Sequence, residues 1–475
     1  MLNDLLKRIA DAGRQLRGSS ESRSPELIDL CEAVLRGKGE ATGMASAIDV
    51  LDAYRALKPD AKATFFEQLL ARFSGDTQRI QKVLERFAND PQRLCRELHF
   101  ASEPQTQELV RRLNRAPGGT AALVAMRRDL LDAAAAKPEL RDLDRDFKHL
   151  LGSWFNRGFL ELRRIDWSTA AETLEHIIAY EAVHEITSWD DLRGRVGTPD
   201  RRLYGFFHPA IQNEPLIFVE VALTMDLPDS IDAILAPERK PVNPNDAKTA
   251  VFYSISNCHT GLRGISFGNF LIKQVVEDLR HELRGLRTFV TLSPVPGLRR
   301  WAVQQLEQKN KPKPTETLAL PAPVASISVA QMTVTAPRSK AASSSADAPS
   351  RDTAAVKSGP LTSEQLALVE SLEAGMELTD PKQRAVLTQI AARYLTQPSP
   401  RGGALDPVAR FHLGNGARLE RIHTAADSSA RGLKNSWGVM VNYLYALDDI
   451  ERNHEAYAST GEVACSSAVR RLTRD

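Results

Sequence analysis

Apolar residues recur at helical spacing through the first third of the chain. One predicted helix places five of them on a single face: Leu27, Ile28, Cys31, Val34 and Leu35. Positions three and four apart share a helix face, and the same spacing predicts helices at residues 60–73, 106–115, 120–136 and 143–155. Strand-like runs are scarce here, so these stripes are expected to pack together as a bundle. We predict an all-helical domain over residues 1–152, serving as a scaffold or a contact between subunits.

The pattern changes after Trp154 to short β-branched and aromatic runs bounded by turn residues. Four runs read as strands: Leu203–Phe207, Leu216–Thr224, Phe252–Ser256 and Thr288–Leu292. Helical patterns lie between them. We therefore predict that residues 153–475 form one domain of the α+β or α/β class.

A low-complexity segment interrupts this second domain. Residues 308–358 are rich in Pro, Ala, Ser, Thr and Lys and contain few large apolar residues. Such a segment cannot bury enough apolar surface to offset the entropy of ordering it. It is predicted to be a disordered insertion, and helical periodicity returns at Leu361.

A glycine-rich turn follows the strand predicted at Phe252–Ser256. Gly261, Gly264 and Gly268 precede a helical pattern, and a second strand then ends at Ser293-Pro294. A strand, glycine loop and helix can present backbone N–H groups to phosphate oxygens at the helix N-terminus. The spacing matches neither a Walker loop nor a dinucleotide fingerprint, so an ordinary turn stays open as the alternative.

Composition narrows the function classes. The 475 residues suffice for two or three domains, and 62 Lys and Arg nearly balance 60 Asp and Glu. Nothing here indicates a partner of strong charge, so neither nucleic acid nor an anionic membrane is expected. The longest apolar runs are too short to cross a bilayer. The four cysteines are far apart and lack CxxC spacing, which favours a reduced, cytoplasmic protein without a structural zinc site.

Several long blocks resemble the malonyl-CoA decarboxylase family. Two surround the glycine loop: SISNCHTGLRGISFGNFLIK (254–273) and FVTLSPVPGLRRW (289–301). Two lie upstream, SWFNRGFLELRRIDW (153–167) and HPAIQNEPLIFVEVALT (208–224), and two lie downstream, DPVARFHLGNGARLERI (406–422) and SWGVMVNYLY (436–445). They are collinear and cover most of residues 153–447, whereas the N-terminal third matches only loosely.

This resemblance implies a fold, an activity and an assembly. The expected fold is an all-helical domain followed by a GNAT-like catalytic domain, as in acetyltransferases. The expected reaction is conversion of malonyl-CoA to acetyl-CoA and CO2, and the expected assembly is a homotetramer. Ser293 matches the family's catalytic serine and His412 its catalytic histidine. His412 would donate a proton and Ser293 would orient or accept.

The resemblance also places coenzyme A. Its contacts fall on one loop: Arg263, Gly264, Ile265, Ser266, Phe267, Gly268 and Asn269. The two glycines would let the backbone approach the pyrophosphate, and Arg263 could add a charge-assisted contact. His208 and the run Asn257–His259 are secondary candidates for the wall of the site, although their sequence context favours a structural role for each.

The chemistry requires no cofactor. The carboxylate of malonyl-CoA is β to a thioester carbonyl, which can accept the electron pair released as CO2 leaves. The protein then has to bind CoA, stabilise the enolate oxygen and protonate C2. A histidine of near-neutral pKa is the natural proton donor.

Two other functions remain open at this stage. A GNAT-like scaffold could instead transfer the acyl group to an amine, because fold alone does not fix function. A non-catalytic malonyl-CoA sensor could use the same binding site, but it would tolerate loss of Ser293 or His412, and both residues are present.

Overall fold

The first third of the chain folds into helices, as its apolar spacing predicts. In the computed structural model the described residues are 8, 9, 11, 12, 26–265, 271–310, 361–400 and 402–473. Between residues 26 and 155 they form α1 (Leu27–Arg36), α2 (Glu40–Arg55), α3 (Pro59–Phe73), α4 (Thr77–Phe87), α5 (Pro91–Ser102), α6 (Gln105–Leu113), α7 (Gly119–Ala136) and α8 (Arg141–Trp154). One apolar core joins α1, α2, α3, α6, α7 and α8.

The second domain is built on a mixed sheet. Its strands are β1 (Glu161–Ile165), β2 (Arg201–Phe207), β3 (Ile217–Thr224), β4 (Thr249–Asn257), β5 (Thr288–Thr291), β6 (Ser293–Pro294), β7 (Arg418–His423) and β8 (Met440–Leu444). The order is β1-β2-β3-β4-β5-β8-β6, with β7 also paired to β8. Strands β1 to β4 are antiparallel neighbours, and β5 runs parallel to β4. The predicted α+β class, a helical domain followed by a domain of mixed sheet and helices, is confirmed.

Helices cover the sheet. They are α9 (Ala171–Tyr180), α10 (Trp189–Val196), α11 (Ile231–Leu235), α12 (Leu271–Glu282), α13 (Leu298–Asn310), α14 (Ser363–Glu373), α15 (Pro381–Thr396), α16 (Pro407–Gly414), α17 (Ala430–Ser436), α18 (Ile450–Thr460) and α19 (Ser467–Leu472). Helix α13 continues to Asn310, so residues 308–310 are helical and do not belong to the predicted insertion. Residues 311–358 lie outside the described residues.

Strands β4 and β5 separate at the place where the site forms. They pair in parallel from Thr249 with Thr288 to Phe252 with Thr291, and the N–H of Leu292 still donates to the carbonyl of Phe252 at 3.0 Å. Beyond that point β4 continues to Asn257, whereas the chain after β5 pairs with β8 instead. A β-bulge at Tyr253 interrupts the pairing of β4 with β3, and bulges bend a strand and re-aim its side chains. The separation leaves a cavity between β4 and β6.

Candidate active site

Ser293 and His412 meet at this cavity, although 119 residues separate them in the chain. Ser293 begins β6, and His412 lies in the last turn of α16. The Ser293 Oγ and the His412 Nε2 are 3.1 Å apart, which is hydrogen-bond distance. Both side chains are buried, with exposed fractions of 5% and 3%. The two residues predicted as a catalytic pair therefore form one hydrogen-bonded unit.

Two further side chains extend the pair into a chain of four. The His412 Nδ1 lies 2.8 Å from the Tyr445 hydroxyl, and the Ser293 Oγ lies 2.8 Å from the Thr291 Oγ1. The ring of Tyr443 also stacks on the imidazole, with centroids 4.7 Å apart. Residues two apart on a strand point to the same face, which explains why Thr291 joins Ser293 and why Tyr443 joins Tyr445. Sequence analysis did not identify Thr291, Tyr443 or Tyr445, and the only signal for these three residues was the two-residue spacing.

Burial changes the acid–base character of the histidine. Desolvation lowers the pKa of His412 from its ordinary value to about 3, because an apolar environment disfavours the charged imidazolium. The imidazole of the free protein is therefore neutral at physiological pH, which differs from the near-neutral pKa expected from the sequence. Burial also raises the pKa of the Tyr445 hydroxyl well above its ordinary value, so this partner stays neutral too.

Asp406 fixes the helix that carries His412. Its carboxylate caps α16 by accepting the N–H groups of Val408 and Ala409, each at 2.9 Å, as N-cap residues do. The Tyr394 hydroxyl donates to the other carboxylate oxygen at 3.1 Å. Asp406 is fully buried, and burial raises the pKa of its carboxyl group. These bonds set the position of the imidazole relative to Ser293.

Two cavities meet beside the pair. The first, the dyad cavity, has a volume of about 250 Å³ and is lined by Ser293, His412 and apolar side chains that include Phe252 and Val183. The second, the loop cavity, has a volume of about 390 Å³ and is lined by Arg263, Gly264 and Ile265 among others. Asn257 and Phe411 line both, so the two cavities adjoin.

The glycine loop is described only in part. Gly264 has a φ of +75°, a left-handed conformation that favours glycine. Arg263 and Gly264 are exposed, and Ile265 is buried. Ser266, Phe267, Gly268 and Asn269, also predicted to contact CoA, lie outside the described residues.

Some of the secondary candidates line the site, and one has a structural role instead. Asn257 and His259 line the loop cavity. The His208 ring instead lies 3.2 Å from the Trp154 carbonyl and accepts the Ala210 N–H, which is a structural role. The described residues include no group of three or more His, Cys, Asp or Glu side chains placed to hold a metal ion, and no helix among them is long and apolar enough to cross a membrane.

Comparisons with known proteins identify the family of the chain. The family model for the malonyl-CoA decarboxylase C-terminal domain matches residues 158–475, and the model for the N-terminal domain matches residues 73–155. A crystal structure of malonyl-CoA decarboxylase from Rhodopseudomonas palustris is 47% identical, with a TM-score of 0.80 over 94% of this chain and 98% of that one. The Agrobacterium vitis structure is 43% identical, with a TM-score of 0.80 over 95% and 100%. The mitochondrial malonyl-CoA decarboxylase of Anser anser anser is 36% identical over 77% of this chain and 69% of its own length.

Proposed function

The chain belongs to the malonyl-CoA decarboxylase family and is an enzyme that converts malonyl-CoA to acetyl-CoA and CO2; from this premise we propose that His412 and Ser293 together supply the proton that replaces the departing carboxylate. The reaction consumes one proton for each CO2 released, because the carboxylate leaves as neutral CO2 and C2 gains a hydrogen. The observation that carries the proposal is the 3.1 Å contact between the Ser293 Oγ and the His412 Nε2 at a buried cavity.

Substrate binding causes His412 to take up the proton that it later donates. His412 is neutral in the free enzyme because burial lowers its pKa. A malonyl carboxylate that enters the same cavity brings an opposite charge, which favours the imidazolium. CO2 leaves as a neutral molecule and the negative charge passes to the enolate, which still favours the imidazolium. The pKa of His412 falls again once C2 has been protonated. His412 thus holds a proton when the enolate forms and becomes neutral again when that proton has been passed on.

Ser293 delivers this proton to the substrate. Both ring nitrogens of His412 are engaged, Nε2 by Ser293 and Nδ1 by Tyr445. The ring therefore reaches C2 only through the serine hydroxyl. As the bond between C2 and the carboxyl carbon breaks, its electron pair forms the enolate of acetyl-CoA. The Ser293 O–H proton then moves to C2, the imidazolium N–H proton moves to the Ser293 Oγ, and the imidazole returns to neutral.

The thioester carbonyl accepts the electron pair, so the proposed reaction uses no cofactor. Protein treated with a chelator and with immobilised avidin should release one CO2 and one acetyl-CoA per malonyl-CoA, without any amine acceptor. Loss of turnover after either treatment would contradict cofactor-free chemistry. A requirement for an amine acceptor would instead indicate an acyltransferase.

We place the CoA part of the substrate in the loop cavity and the malonyl group in the dyad cavity. In this pose the pyrophosphate lies at the loop of residues 263–269, where Gly264 permits close approach of the backbone and Arg263 adds charge. The shared lining by Asn257 and Phe411 supports a continuous path for the pantetheine arm between the two.

We also propose that the enzyme is a cytoplasmic homotetramer. Supporting the assembly, α4 buries none of its residues, and Leu84 of α4 and Phe100 of α5 are 45% and 63% exposed; large exposed apolar side chains on one hairpin are typical of subunit contacts. Four unpaired cysteines suit a reducing compartment. Light scattering at several concentrations and cell fractionation test the two parts, and a persistent monomer or a membrane-bound protein would contradict them.

A further inference from the structure

A buried arginine of the helical domain holds the glycine loop of the catalytic domain. Arg127 of α7 is 1% exposed. Its Nη1 donates to the carbonyl of Gly261 at 2.6 Å, and its Nη2 donates to the carbonyl of Arg263 at 3.0 Å. The Asp144 carboxylate of α8 accepts the Nε–H of the same guanidinium at 2.7 Å. A planar guanidinium with fixed donor directions suits such a bridge better than a flexible ammonium does.

The loop also packs directly on the backbone of α7. Residues Thr260–Leu262 form a 3₁₀ turn against this helix. A Cβ on residue 261 would overlap the carbonyl oxygen of Val124, so only glycine allows this approach. Gly261 and Gly264 thus have different roles, since the first seats the loop on the helical domain and the second faces the loop cavity.

A second cation of the helical domain stands over the loop. The Nζ of Lys148, on α8, is 3.5 Å from the place that a Cβ on Gly264 would occupy. The Lys148 side chain is exposed, and its ammonium is within reach of an anion bound above Gly264. Lys148 is one turn along α8 from Asp144, so the ion pair that fixes Arg127 also fixes the helix that presents this lysine.

From these contacts we propose that the helical domain completes the phosphate-binding site, with Arg127 as the residue that positions the loop and Lys148 as a direct ligand of the CoA phosphates. The inference rests on the proposed placement of the pyrophosphate beside Arg263 and Gly264. It gives the helical domain a part in substrate binding, beyond the scaffold or subunit contact predicted from its sequence.

The test compares malonyl-CoA with malonyl-pantetheine, which lacks the phosphates. In the full-length protein, Arg127→Gln should raise the KM for malonyl-CoA about 10- to 100-fold, the effect of losing a bond to a charged group. Lys148→Met should raise it about 3- to 5-fold, as expected for an exposed charge pair. In both variants kcat should change little, and kcat/KM for malonyl-pantetheine should stay within about 3-fold of wild type.

Matched controls lie in the same domain. Arg112 also binds backbone carbonyls, those of Val34, Leu35 and Gly37, and a carboxylate, that of Glu108. Arg112→Gln removes the same kind of bridge far from the loop, and Lys82→Met removes another exposed lysine. Neither control variant should raise the KM for malonyl-CoA selectively over that for malonyl-pantetheine. If Arg127→Gln does not fold, the inference is tested with Arg127→Lys and Lys148→Met. The exposed Lys148 can be replaced without disturbing the core.

The outcomes separate this inference from the placement of CoA. If Gly264→Val raises the KM for malonyl-CoA selectively but the Arg127 and Lys148 variants do not, the helical domain has no part in phosphate binding. Equal losses on both substrates in those variants would overturn the inference in the same way. If Gly264→Val itself has the same effect on malonyl-CoA and on malonyl-pantetheine, the pyrophosphate lies elsewhere. The proposed placement of CoA would then be wrong.

Discussion

Replacing His412 by asparagine, or Ser293 by alanine, is expected to lower kcat on malonyl-CoA by about 10²–10⁴-fold, the range for a positioned proton donor. His412→Asn removes the group that holds the proton, and Ser293→Ala removes the hydroxyl that passes it to C2. Both variants should fold, because each replaces a buried side chain by a smaller or similar one. The measurement is CO2 release under saturating substrate, with circular dichroism to confirm folding.

The two losses should not add. Because Ser293 and His412 form one path for the proton, the double variant should be little worse than the slower single variant. His208→Asn serves as the control, since that ring contacts the Trp154 carbonyl outside both cavities, and it should turn over within a few-fold of wild type. Near-normal turnover in His412→Asn would remove the histidine from the mechanism.

The second large effect is expected at Gly264. A valine there would have to adopt a φ of +75°, which a β-branched residue resists, and its side chain would enter the space between the loop and Lys148. Gly264→Val should raise the KM for malonyl-CoA about 10- to 100-fold through lost contacts to phosphate. It should weaken inhibition by free CoA in parallel, while kcat/KM for malonyl-pantetheine changes much less.

Gly375 provides a control for backbone strain alone. It follows α14, has a φ of +92° and has open space around its Cβ position, and it lines neither cavity. Gly375→Val therefore introduces the same conformational strain without touching the loop. Equal loss on both substrates in a folded Gly264→Val protein would mean that the loop shapes the reaction centre or the scaffold, and the placement of the pyrophosphate would be wrong.

Local patterns predicted the elements of the fold well. The strand predicted at Phe252–Ser256 lies within β4, and the one at Thr288–Leu292 matches β5 to within one residue. These segments are buried and β-branched, so their local preference and their burial agree. Residues 308–310 were assigned to the insertion although they end α13, because the polar end of this helix resembles a linker in composition.

Contacts between distant segments were harder to predict. The family motifs supplied Ser293 and His412, but nothing in them indicates that Tyr445 holds the other ring nitrogen. Arg127 reads as one more charged residue in a helix, and its role depends on the docking of two domains. The pKa of His412 depends on how many apolar neighbours exclude water, which a sequence pattern does not report.

The central claim is that the malonyl carboxylate causes His412 to take up a proton when the substrate binds. Proton uptake on binding tests this claim most directly. Ser293→Ala can be mixed rapidly with malonyl-CoA in weak buffer containing a pH indicator, because this variant should bind substrate much faster than it turns over. The matched variant Ser293→Ala/His412→Asn corrects for protons taken up by the CoA phosphates. We predict a rapid phase whose difference between the two variants approaches one proton per site at about pH 5.5 and declines as the pH rises. The same uptake in both variants across about pH 5–8 would contradict the account.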